Sequence, residues 1–211
     1  MRLATKSIDS EAILAFWFDD AVYEPESIPR AKQRWYRGGA TLDRYIATHF
    51  KTQHASAAAS AMSEELTHRE ILARIILFDQ FSRHLYRGTP KAFAFDHLAL
   101  AYSHQLYRSE AALDLQPVEQ LFLLHPYHHS ENQVAQQLGI SKLTTLTGQV
   151  APGWLPLFQG FLKSFQEHAL IIERFGRFPH RNDILNRVTT LEESHYLVQQ
   201  PQRYGQSHGH H

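Results

Sequence analysis

The chain contains no cysteine among its 211 residues. That excludes disulfides, thiolate catalysis and cysteine-based zinc sites. It also lacks a surplus of charge: Lys+Arg and Asp+Glu each total 21, for a formal net charge of zero with histidine neutral. A protein that coats a nucleic-acid duplex needs a basic surplus to displace counterions, so no nucleic-acid partner is expected. No stretch approaches the ~18 consecutive apolar residues of a membrane span. The segment Met1 to Ser10 lacks the apolar run of a secretory leader. The expected setting is therefore cytoplasmic, with no membrane partner. Valine and isoleucine are too scattered to write strands. Nothing in the spacing calls for a metal or another cofactor.

What the chain does have is helical spacing. Ser10 can cap a helix carrying Ile13, Leu14, Trp17 and Phe18. Thr67 and Glu70 form a capping-box pattern that opens a very apolar helix from Ile71 to about His84, and such helices sit centrally. Pro117 opens another, expected to end before Pro126. Ser130 to Gln133 reads as a second capping box, starting a helix that Gly139 stops. Pro156 to Phe175 is a long amphipathic helix closed by Gly176, and Thr190 with Glu193 caps a last short one. These signals predict an all-α protein of about eight helices, with short connections favouring antiparallel hairpins. Residues 1–200 are expected to form a single helical domain, and 201–211 a disordered tail or an expression remnant.

Three segments are not ordinary helix surface. In the first, Asp79 and Arg83 are four apart on a helix that should be central, so these charges need partners or line a cleft. The second, His125 to Asn132, crowds His125, His128, His129 and Glu131 just before a helix start. Free amides there favour an anion, and imidazoles suit acid–base work near neutral pH. Ser130 is explained already as a helix cap. The third, Arg174 to Asn182, sets three arginines and His180 on a turn stiffened by Gly176 and Pro179. Phe175 and Phe178 would anchor that turn, and guanidiniums so held suit bidentate grip on carboxylate or phosphate. Alternatively they tie the turn to neighbouring carboxylates and carbonyls.

These words in this order resemble the bacterial domain-of-unknown-function family numbered 924. The likeness rests on Phe16-Trp17-Phe18, Asp79-Gln80-Phe81 with Arg83, Tyr86-Arg87-Gly88-Thr89-Pro90, Ala92-Phe93-Ala94 with Asp96, His129-Ser130-Glu131, and the stretch from Phe175 to Asn182. Thr190 with Glu192 and Glu193 closes the pattern. The chain departs from it at Ser82 and His84, at His128, where the family has a carboxylate, and at Asn186, where it has glycine. The resemblance implies a TPR-like stack of helix pairs and carries no activity.

The site expected from these readings comprises Asp79, Arg83, His129, Ser130, Glu131, Arg177, His180, Arg181 and Asn182. As a binding protein it would take a small anionic ligand, carboxylate or phosphate, or a peptide. As a hydrolase or transferase on an anionic ester it would use His129 or His180 as general base, oriented by Glu131 or Asp79. As an interaction module it would hold these side chains in a purely structural polar network.

Overall fold

The structure, a computed structural model, describes residues 8–60 and 66–199; the expectation for 201–211 lies outside them. The described residues are all-α, with no strand. The helices are α1 (Ser10–Phe18), α2 (Ile28–Arg37), α3 (Gly39–Ala59), α4 (His68–Ile75), α5 (Ser82–Leu85), α6 (Asp96–Tyr107), α7 (Pro117–His129), α8 (Gln133–Thr147), α9 (Leu155–Phe175) and α10 (Leu191–Gln199). Between α4 and α5 the chain does not leave the helix but widens into a π-helical turn, Ile76–Phe81. No helix is long and apolar enough to cross a membrane among the described residues.

The α4–α5 rod is central, as its composition predicts. Leu72, Ile75, Ile76, Leu77, Phe78 and Phe81 are all fully buried. The Thr67–Glu70 box that starts it forms as read: Thr67 Oγ1 accepts from the Glu70 amide at 3.2 Å, and Glu70 Oε2 accepts from the Thr67 amide at 2.9 Å. An aromatic cluster of Trp17, Trp35, Phe81 and Phe122 locks α1 and α2 onto the rod and α7, with Trp35 Nε1 donating to the Trp17 carbonyl at 3.0 Å. Fully burying each such ring contributes roughly 1.5–3 kcal/mol.

Several local expectations are corrected. Asp9, not Ser10, caps α1 through its side chain. The helix from Pro117 runs through Pro126 to His129. That extra turn carries His128 into the interior and His129 to its edge. Ser130 is not the cap of α8; Asn132 is, its side chain accepting from the Ala135 amide at 2.9 Å. Gly139 does not stop α8. It is where α8 approaches α7, and a methyl group there would lie 2.7 Å from Tyr127 Cβ. Gly176 does end α9 in the left-handed region, at φ +67°.

Candidate functional site

The π-helical turn places Asp79 at 0% exposure in the middle of the fold. Widened turns of this kind recur at functional sites because they re-aim side chains that a regular helix would send elsewhere. The Ser82 hydroxyl donates to the Leu77 carbonyl at 3.3 Å, five residues back, and supports the wide turn. His54 of α3 in turn holds the Ser82 hydroxyl at 2.8 Å.

Two groups converge on the Asp79 carboxylate. Gln80 Nε2 donates to Oδ2 at 2.5 Å, and His129 Nδ1 donates to Oδ1 at 2.7 Å. With Nδ1 carrying the proton, Nε2 of His129 holds a lone pair. That nitrogen has no hydrogen-bond partner among the described residues and is not among the buried unpaired atoms. The His129 side chain is 20% exposed, so the ring forms part of a wall that solvent reaches. Burial first, then the positive charges of Arg83 and Arg181, hold this imidazole well below the ordinary histidine range. It is a neutral base at neutral pH.

The arginines are arranged around Asp96, at the start of α6. Arg83 grips it with two hydrogen bonds, at 3.0 and 3.1 Å, and lies 3.6 Å from Asp79. Arg181 reaches the same carboxylate at 3.5 Å and donates to the His129 carbonyl at 3.0 Å. Both guanidiniums lie against the Phe93 ring, at 5.7 and 4.6 Å, and Arg181 also lies 4.5 Å from Phe178. Burial lowers the Arg181 guanidinium to about 10 against the pull of Asp96. Burial raises Asp96, opposed by Arg83 and Arg181.

The rest of the expected set is placed differently. Glu131 does not orient a histidine. It accepts from Arg187 at 2.7 and 3.0 Å and from the Phe178 amide at 2.8 Å. Asn182 is fully buried, its Oδ1 accepting from Arg187 Nε at 3.0 Å. Arg177 pins α10, giving Glu193 two bonds at 2.6 and 2.8 Å. Ser130 Oγ accepts from the Asn132 amide at 3.2 Å, which ties it to its own turn. His180 lies beside Phe178, and burial with Arg181 pushes it down to about 2. The structure thus brings Asp79, Arg83, His129 and Arg181 together and leaves Arg177, Ser130 and Glu131 in structural contacts. Among the described residues no group of three or more His, Asp or Glu side chains could hold a metal ion.

The expected site set left out four further groups. Asp96 reads as an ordinary acid in a helix's first turn. Arg187 lies beyond the motif that drew attention to its neighbours. His125, one turn before His129, donates Nδ1 to the Leu121 carbonyl at 3.0 Å and lies 5.9 Å ring to ring from His129. Tyr36 is half exposed, yet surrounding protein and the Asp79 charge push its phenol well up.

A family model for a bacterial protein of unknown function, DUF924, matches residues 13–201. The chain belongs to the DUF924 family. A solved structure of a protein of unknown function, ATU0120 from Agrobacterium tumefaciens, is similar to it at 31% identity and a TM-score of 0.68. The match covers 88% of this chain and 98% of that one. No curated protein matches the chain. Asn186 sits at φ +52°, and asparagine is among the few residues besides glycine that tolerate the left-handed region. His128 Nε2 contacts His168 Nδ1 inside the helix packing.

Proposed function

We propose that this DUF924 protein is a hydrolase or transferase for a small anionic ester, with His129 as general base. The observation that carries the reading is the Asp79–His129 pair: a fully buried carboxylate fixes the tautomer at 2.7 Å, and the opposite ring nitrogen is left open. In the proposed step Nε2 takes the proton of an attacking water or alcohol. The ester bond to the leaving group breaks, and the imidazolium returns the proton to the departing oxygen. Asp79 is the positioning residue, and its negative charge steadies the imidazolium. Arg83 and Arg181 stay paired with Asp96, and their charge reaches the His129 ring only as a field, which favours an anionic substrate without offering it a free guanidinium.

Simple anion or peptide binding, without chemistry, is less well supported. Arg177 is committed to Glu193, and Arg181 to Asp96 and a backbone carbonyl. A ligand would have to compete with those contacts.

The test uses diethyl pyrocarbonate, which acylates neutral, accessible imidazoles, with peptide mapping to assign the modified histidine. The expected result is modification of His129 ahead of the buried His125 and His128, slowed by phosphate or succinate, with His129→Gln losing turnover of a p-nitrophenyl ester panel. An unreactive His129, or a panel hydrolysed equally by His129→Gln, would overturn the reading.

A further inference from the structure

On the far side of α7 from His129 lies a cavity of about 280 Å³. Its apolar floor is Leu123 and Leu124 of α7 with Leu146 of α8, and its walls include Tyr107, Arg108 and Lys142. None of these residues belongs to the Asp79–His129 site. A cavity of this volume lies at the small end of ligand sites.

Lys142 is the informative side chain. It is half-buried, and its ammonium makes no ion pair or hydrogen bond among the described residues. It sits over the Tyr107 ring, 3.0 Å from the centroid, and 5.8 Å from that of Tyr127. Desolvation holds its amine below the usual lysine range. A ring face compensates only part of the cost of taking an ammonium out of water. Arg108 adds a second cation to the same wall, and both charges reach His104, whose Nδ1 meets the Tyr127 hydroxyl at 3.1 Å. Glu110 is one carboxylate against these two cations.

We infer that this cavity is a second ligand site, for a short aliphatic carboxylate whose chain lies on the three leucines and whose head meets Lys142. The leucines fix the apolar body of the ligand, and the ammonium, only partly compensated by the Tyr107 ring, fixes the sign of its head. The exposed Leu113, also part of the lining, offers a further apolar contact at the rim.

The test is calorimetric titration of the full chain with octanoate, 1-octanol and acetate. Octanoate should bind saturably at one site, more tightly than either partial mimic. Lys142→Met keeps the stem and removes the charge, and should weaken octanoate by about tenfold or more, the worth of one charge-assisted contact. Lys142→Arg should restore most of that loss. Thr145→Trp, which places a ring at the lining, should abolish binding without lowering the melting temperature. His129→Gln should leave octanoate affinity unchanged, which separates this site from the proposed catalytic one. No saturable octanoate binding would overturn the inference. So would equal affinity in Lys142→Met, or octanol or acetate binding as tightly as octanoate. If Thr145→Trp does not fold, the two Lys142 variants still decide the matter.

Discussion

Arg187 holds Glu131 through both terminal nitrogens, at 2.7 and 3.0 Å, across 56 residues of sequence. The pair does for the third motif what no local turn could. Glu131 caps the Phe178 amide, and Arg187 donates to the Phe178 carbonyl and to Asn182. The turn that carries Arg181 is thereby tied to the end of α7. Glu131→Ala should cost about 2–3 kcal/mol in urea unfolding, because it strips partners from a charged group and a backbone amide together. Arg187→Ala should cost a similar amount, and the double variant less than the sum. Additive losses would show that the two residues act separately.

Arg181 is 6% exposed, lies against Phe93 and Phe178, and shares Asp96 with Arg83. Arg181→Ala leaves Asp96 with half its counter-charge and should destabilise by about 3 kcal/mol. Arg181→Lys should recover little, since an ammonium has no planar face to lay on the rings and no fork to span Asp96 and the His129 carbonyl. Stability of the lysine variant close to the parent would refute the role given to the stacking.

Gly139→Ala puts a carbon 2.7 Å from Tyr127 Cβ, a backbone-proximal atom that cannot rotate away. In an exposed helix the change would stabilise by about 1 kcal/mol. Here α8 must move off α7, and a net loss of about 1–2 kcal/mol is expected. A raised melting temperature would mean that the two helices separate freely.

Stability should fall on mild acidification. Burial holds His54 and His168 at about 4, against ~6.5 in the unfolded chain. Below 6.5 the unfolded state therefore binds more protons, and stability declines as pH drops from about 6.5 to about 4, by up to roughly 3 kcal/mol for each histidine. The lowered carboxylates act in a later window. Arg177 holds Glu193 at about 2, so its contribution is lost between about 4.3 and 2. Urea midpoints followed from pH 7 to 4.5 should drop in the parent and less steeply in His168→Gln. Equal slopes would remove His168 from the account.

The helical class and the central rod were legible because periodicity and capping act over a few residues: Thr67 with Glu70, Gly176, and Thr190 with Glu193 all form as their spacing predicts. Partners were not legible, because they are set by packing. Asp79 and Arg83 pointed to each other by spacing, yet the main partners are His129 and Asp96. Pro126 read as a stop because its missing amide ends most helices, but burial of Leu123, Leu124, Tyr127 and His128 carries α7 through it. Ser130 lost its capping place to Asn132 for the same reason: α7 ends one turn later than proline suggested.

The wide turn at Ile76–Phe81 also acts as a phase shifter. A regular helix advances ~100° per residue, and the extra residue in this turn rotates everything after it by about that angle relative to everything before it. After the turn Arg83 faces Asp96 and His84 faces Asp43. Deleting a single residue here would give a tidier helix and misdirect every side chain from Ser82 onward. The length of this segment is as much a part of the site as the identity of its residues.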